Sequence, residues 1–575
     1  MIQPVTQKTI HIRLWVTIVA ILVGLGVVFR VANLGEPVYW VDEVATSMRV
    51  SGYTQAEVVQ RFATGEPLTP AEVLEVQQIR GDRPRSDLIR VFTQSPEHAP
   101  LYFILMRFWA EIFGTSVIAM RSFSVVLSLL ALPAIFALSR TLFQNPTNTK
   151  EKRIGVDDFN RRGMAMPCPY DDQPIALPCP YKDVDTDGTI ISWTALGLLA
   201  ISPYFVSYAQ EARPYSLWVL LLLLENQMLW RSLHSNRIQI WVSYGLALIL
   251  TLYTSLLTVP IVAGQALMVM LLHPHRRRSY LAATVLAGIA FLPWCWIVIQ
   301  QWQTLQENTA WTQVSMPLWA LLGVMIYSVA VLFFDVPVAA GIPVILGLQI
   351  LMAIATLALI SYGILYLLRR TPKTVGLFIF THIITVPAVL VILDLIRNGQ
   401  SAATPRYLIP TQLGILLAMA YLLSKRLFPP SRRWRFITAV VLSISLLSCL
   451  IGVSHTSTYQ KSRNLSNPAI VALVNQERSP HLIAEADQLQ DIISLSYALN
   501  PDTRIYVLPP VLPPEEWFTT LDPTEHSTFV FNPSASLTNT IQRSELGQLQ
   551  EVYQPQKLIE GELGLTLWKI DGTED

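Results

Sequence analysis

Asp42 and Glu43 stand side by side in the stretch Tyr39-Trp-Val-Asp-Glu-Val-Ala-Thr-Ser, a few residues beyond the first long apolar segment. Carboxylates at such a water–lipid boundary are either solvated loop groups or the base of an enzyme whose substrate arrives through the lipid. A positioned base is worth about 10²–10⁴-fold in rate. Adjacent side chains point in different directions, so one as base and the other orienting substrate is more plausible than a paired acid and base. Further polar residues mark the ends of apolar stretches: Glu97-His98-Ala-Pro100, Arg121, Gln210-Glu211-Ala-Arg213-Pro-Tyr215 and Arg406-Tyr407-Leu-Ile-Pro410. Ionisable groups in or near a membrane default to a functional hypothesis, because one at a span centre costs about 2.5–3.5 kcal/mol. Arginine's planar fork suits phosphate. If a lipid-linked phosphate carries a sugar, it is a leaving group whose growing charge Arg121, Arg213 and Arg406 would stabilise.

Each residue also has a plainer reading. Glu211 and Arg213 could form a local ion pair closing a tight helix connection, and Arg121 and Arg406 could be snorkelling interfacial anchors. His98 could simply start a helix. No dedicated metal cage is visible, although Asp42, Glu43 and His98 could recruit a divalent ion.

The elements that must position these groups follow from composition. The chain has 575 residues, 52% hydrophobic and only 14% charged, against roughly 25% charged in soluble domains. That composition specifies a multi-pass membrane protein, and the net charge of +1 gives no reason to expect a nucleic-acid partner. Stretches of about 20 apolar residues, enough to span, occur near 14–33, 117–138, 191–209, 215–231, 239–256, 257–273, 281–300, 341–368, 374–394, 407–424 and 436–453. The first follows Lys8 and Arg13 without a small-residue cleavage site, and reads as an uncleaved helix.

Six basic clusters fall in alternate loops, from Lys8/Arg13 to the group Lys425 to Arg435. The positive-inside rule places them and the N-terminus in the cytoplasm, in keeping with a bacterial plasma membrane. Parity then demotes two apolar pieces. Pro100 to Phe113 reads as an amphipathic interfacial helix, and Leu318 to Phe334 as an external or re-entrant one.

The expected fold is therefore an all-α membrane domain over 1–454 with about eleven spans. Its first external loop covers 34–116, and a cytoplasmic insertion covers 139–190. Residues 455–575 are polar, with strand-like Arg504-Ile-Tyr-Val-Leu, Thr528-Phe-Val-Phe and Leu565-Thr-Leu-Trp-Lys-Ile alternating with helical patterns. A small external α/β domain fits, to bind an acceptor or to cap the external face. The insertion repeats Pro-Cys-Pro-Tyr at 167–170 and 178–181, which reads as a disordered duplication rather than a metal site. Cys295 and Cys449 read as packing residues.

Taken in order, these pieces resemble the GT-C glycosyltransferases of the protein O-mannosyltransferase and aminoarabinose transferase group, the family 39-like proteins. The matching residues are Arg30 to Asn33 with Leu34-Gly35, Trp40-Val-Asp42-Glu43-Val-Ala, Glu97-His98-Ala-Pro100-Leu101-Tyr102, Phe113-Gly114 to Arg121-Ser, Ser202-Pro203 through Tyr208 to Arg213-Pro-Tyr215-Ser, and Arg406-Tyr407-Leu-Ile-Pro410. The resemblance spans roughly 14–425. It implies a polyprenyl-phosphate-linked sugar donor, transfer at the external face, Asp42 as base with Glu43 beside it, and Arg121 and Arg406 near the donor phosphate. His98-Ala-Pro100 departs from the family's His-Pro-Pro. The acceptor, whether glycan, lipid or protein, does not carry over. The competing class is a lipid-linked-sugar transporter or flippase, but such proteins place their sites near the midplane between repeated halves.

Overall fold

The computed structural model describes residues 3–144, 186–337, 342–428, 431–454, 463–512, 515–518, 521, 525–544, 547–555 and 564–571. The duplicated Pro-Cys-Pro-Tyr segment lies outside these residues.

All eleven apolar stretches are helical. Seven helices are long and apolar enough to cross a membrane, and the pair Gly188–Ala200 and Pro203–Ala209, bent by 57°, would make an eighth. The helices Tyr215–Leu233, Ile238–Leu252 and Thr258–Leu272 are shorter or more polar. Contacts at their ends nevertheless order the path. Tyr253, just after the second, accepts from Leu101 N–H of the first long loop. Asn308, after the helix Arg277–Gln300, donates to Glu97 of the same loop. These contacts place the ends of Ile238–Leu252 and Arg277–Gln300 beside the first long loop. Arg140, Arg231, Arg276, Arg370 and Lys425 sit at helix ends on the opposite side.

The helix Leu318–Ala330 does not make a traverse. Ser328 O accepts from Gln412 near the start of a later helix, and Asp335 N–H donates to Ser448 near the end of another. Both contacts lie in the half of the bundle that holds the first loop. The helix Leu101–Phe113 buries Tyr102, Phe103, Met106, Arg107 and Ala110 but exposes Ile104, Leu105, Phe108, Ile112 and Phe113. An apolar stripe left facing outward at a bundle end is the pattern of an interfacial helix.

Close approach of α1 (Gln3–Val31) to the bent pair depends on a glycine. A Cβ on Gly26 would lie 2.3 Å from Ala200 O. The break beyond Ala200 leaves helix carbonyls unpaired by backbone, and buried Arg30 takes them: it donates to Ala200 O at 2.6 Å and Leu199 O at 3.0 Å, and to Ser128 at 2.9 Å.

The C-terminal residues form one mixed sheet in the order β1-β3-β2-β4-β6-β5. Its strands are β1 (Pro67–Leu68), β2 (His481–Glu485), β3 (Arg504–Leu508), β4 (Thr528–Phe531), β5 (Gln548–Tyr553) and β6 (Leu567–Asp571). β3, β2 and β4 run parallel, and their central residues are mostly buried and apolar, as in an α/β unit. β1 belongs to the first long loop and pairs antiparallel with β3. The sheet is thus not confined to 455–575, and the loop and the C-terminal residues fold together. Cys295 and Cys449 are free thiols.

Candidate active site

α2 (Val41–Val50) starts with a residue that cannot cap it. Trp40 occupies the N-cap position with no side-chain hydrogen bond. The missing acceptor comes from 423 residues away: Asn464 Oδ1 takes Val41 N–H at 3.1 Å. Asp42 and Glu43 fall in the first turn, where the helix dipole favours carboxylates. Their side chains diverge, as adjacent residues on a helix must.

Glu43 points inward and is fully buried. Its two oxygens accept from Arg121 Nε at 2.8 Å and Nη2 at 2.7 Å, and Oε1 also takes Ala212 N–H at 2.9 Å. Arg121 is equally buried. Its remaining three N–H bonds go to the carbonyls of Leu34, Pro37 and Val38 at 2.9, 3.0 and 3.0 Å. All five guanidinium donors are consumed within the protein. Arg121 thus has no donor to spare for a phosphate, contrary to the sequence expectation. It ties the first loop to α2, and Glu43 is the other half of that tie.

Asp42 faces the other way and keeps its side chain 24% exposed. Arg213 Nη2 lies 3.7 Å and Arg406 Nη2 3.6 Å from the same Oδ2, close enough for charge but not for hydrogen bonding. Burial would raise the Asp42 pKa, but Arg213, Arg406, Arg49 and Arg463 outweigh it and hold the carboxyl below its ordinary value.

Arg213 is fixed by its Nη1 bonds to Asp42 O and Thr46 Oγ1 at 3.1 and 3.2 Å, and by Nε to the Tyr215 hydroxyl at 3.4 Å. Arg406 is held differently. Its guanidinium lies 5.5, 5.3 and 5.8 Å from the ring centroids of Trp40, Trp311 and Tyr407, and among the described residues it donates no hydrogen bond. An aromatic cage therefore orients a cation while leaving its donors to a ligand.

Glu97 bridges Arg49 Nη2 at 3.5 Å and Asn308 at 3.1 Å. His98 Nε2 is 3.7 Å from Glu97. Burial first, then Arg49, Arg213 and Arg406, push the His98 pKa well down, so the ring stays neutral. Glu211 is fully buried in the turn between helices and so does not touch a ligand in this arrangement. Tyr215 packs on Tyr208 at 4.9 Å and lines a small internal cavity with Ser128, Ser216 and Ile409.

Asp42, Arg213, Arg406, Tyr407 and His98 thus share one neighbourhood, with Glu43, Arg121 and Glu211 beneath it. The donor set does not fit a metal: Glu43 is spent on Arg121, and Asp42 sits between two guanidinium groups. Among the described residues no group of three or more His, Cys, Asp or Glu could hold a metal ion.

Three contributors escaped the sequence reading. Arg49 lies two helical turns after Asp42, a spacing that places both on one face of α2. Trp311 and Asn464 carried no local signal. Far from this site, Glu225 is buried in the helix bundle, accepting from Gln265 at 3.1 Å. It lies within a predicted span without having been singled out.

No protein-family model matches the sequence, and no curated protein does. Solved structures similar in fold include two of ArnT from Cupriavidus metallidurans. The apo structure shares 12% identity over 96% of this chain and 97% of that one, with a TM-score of 0.47. The structure bound to undecaprenyl phosphate shares 11% over the same proportions, with a TM-score of 0.49.

Proposed function

We propose that this protein is an inverting glycosyltransferase. It would move a sugar from a polyprenyl-phosphate donor to an acceptor hydroxyl at the external face of the membrane, with Asp42 as the catalytic base. The observation that carries this reading is the pair Arg213 and Arg406 converging on one oxygen of a partly exposed carboxylate, with the Arg406 donors uncommitted and three aromatic rings around it. Such a site has more positive charge than it neutralises, and it suits an anion presented at headgroup depth.

The chemistry follows from these groups. Arg406 and Arg213 bind the phosphate and gain most when the glycosidic bond breaks and negative charge moves onto it. Asp42 is ionised at neutral pH and accepts the acceptor hydroxyl proton as that oxygen bonds to the anomeric carbon. The phosphate leaves from the opposite face of the sugar, carrying the bonding electron pair. Binding an anionic phosphate also offsets the two arginines that depress Asp42, so donor binding makes the base stronger. The basic helix ends opposite the site support a cytoplasmic location for that end, and therefore external chemistry. A site at helix ends, rather than at the midplane, favours transfer over transport.

The test is Asp42→Asn in full-length protein, in proteoliposomes supplied with polyprenyl-phosphate sugars extracted from native membranes. Transfer should fall by about 10²–10⁴-fold while polyprenyl phosphate still binds. Undiminished transfer would remove Asp42 from the base role.

A further inference from the structure

The same geometry reaches beyond the membrane domain. Asn464 is fully buried and spends its side chain in two directions. Its Oδ1 caps α2 through Val41 N–H at 3.1 Å, while its amide donates to Asp491 at 3.2 Å and Asn467 at 3.3 Å. Asn467 in turn donates to Ser494 at 2.9 Å, and the Ser494 hydroxyl donates to Tyr39 O at 2.6 Å. Asp491 is also fully buried and is clasped by Arg463, with Nη2 at 2.6 Å. The Tyr39 ring packs edge-on against Tyr497 at 4.8 Å. Two hydrogen bonds from the C-terminal residues therefore hold the backbone immediately before Asp42, one at Tyr39 and one at Val41. Behind them, β1 of the first loop is stitched into the C-terminal sheet, and Gly65 N–H adds a bond to Val507 O.

We infer that the C-terminal domain is part of the catalytic centre, with Asn464 and Ser494 acting as positioning residues that set where the Asp42 carboxylate points. This inference rests on the reading of Asp42 as base. The physical reason is that α2 has no cap of its own. Leaving a buried N–H of the first turn unmet is costly, and fraying there would swing Asp42 away from the acceptor oxygen. A displacement of about 1 Å at a reacting group can cost about 10²-fold in rate. Of the cations around Asp42, Arg213 and Arg406 are anchored in the membrane domain and Arg49 on α2 itself, whereas Arg463 comes from the C-terminal residues. The network thus aligns two separately built halves of one site.

The experiment uses full-length Asn464→Ala and Ser494→Ala proteins in nanodiscs and proteoliposomes. Affinity for a polyprenyl monophosphate reports Arg213 and Arg406, kcat for transfer from extracted polyprenyl-phosphate sugars reports Asp42, and hydrogen exchange of peptides covering 38–47 reports the cap. We expect phosphate affinity within two-fold of the original, kcat lower by at least ten-fold for Asn464→Ala, and faster exchange confined to 38–47. Ser494→Ala, which removes the bond to Tyr39 O, should lower kcat in the same direction, again with phosphate affinity within two-fold. Unchanged kcat and exchange in Asn464→Ala would overturn the inference, as would parallel loss of phosphate affinity and kcat, which marks general unfolding. Unchanged kcat in Ser494→Ala would remove Ser494 from the positioning role and overturn the inference for that residue. These outcomes are separable from the base assignment, which Asp42→Asn alone decides.

Discussion

Exchanging Glu43 for Gln should damage the fold rather than the chemistry, although its neighbour Asp42 should do the reverse. Glu43 and Arg121 are both fully buried and joined by two hydrogen bonds at 2.8 and 2.7 Å. Hydrogen bonds to charged groups are worth about 1.5–3 kcal/mol each, so removing the charge from this pair forfeits about 3–5 kcal/mol, the usual cost of breaking a buried ion pair. The replacement amide also turns N–H donors toward guanidinium N–H donors or toward Ala212 N–H. Asp42 differs because its contacts to Arg213 and Arg406, at 3.7 and 3.6 Å, are too long for hydrogen bonds, and its side chain stays 24% exposed. Asp42→Asn should therefore cost about 0–1 kcal/mol. The assay is thermal unfolding in detergent followed by size-exclusion fluorescence. The Glu43→Gln midpoint should fall by several degrees and that of Asp42→Asn should barely move. Adding Arg121→Gln to Glu43→Gln should cost less than the sum of the two single changes, because the pair is coupled. Additive losses, or a larger loss for Asp42→Asn than for Glu43→Gln, would refute the division of labour between these carboxylates.

Other outcomes follow from the same geometry. Arg406→Gln or Arg213→Gln removes a cation that depresses Asp42; the carboxyl is then protonated at higher pH, so the acid limb of kcat/KM should move upward and polyprenyl phosphate affinity should fall, read from a pH series in proteoliposomes. His98 is neutral with a pKa well below its ordinary 6.5, so charge is absent above that range and no limb near 6.5 should vanish in His98→Gln; loss of such a limb would contradict the assignment. Gly26→Ala forces a Cβ to 2.3 Å from Ala200 O and should lower the thermal midpoint by more than Gly24→Ala, where nothing lies within 4 Å of the added carbon.

The residues that show themselves along the chain are those whose signal is local. Helical runs, the interfacial stripe of Leu101–Phe113 and the parallel core strands Arg504–Leu508 and Thr528–Phe531 are legible because burial in lipid or in a sheet interior demands a repeating pattern over a few residues. Helix ends that carry Asp42, Arg213 and Arg406 are legible for the related reason that charges there are expensive and rare. β2 and β5 were not distinguished from their surroundings, and β1 is too short to carry any pattern.

What chain order leaves open is which of two adjacent carboxylates meets the ligand. Both lie in one turn of α2, and only the packing of Arg121 from a later helix turns Glu43 inward and commits it. The same holds for the separation of arginines into a tie, an orienting pair and an uncommitted cation, because composition does not record how many donors are already spent. Asn464 is the clearest case. It caps α2 across 423 residues, and no spacing rule links two positions whose proximity is created by the fold. Residue types and their local rhythm establish that carboxylates and arginines meet at a membrane boundary, whereas long-range burial and hydrogen-bond saturation decide which of them remain free to act.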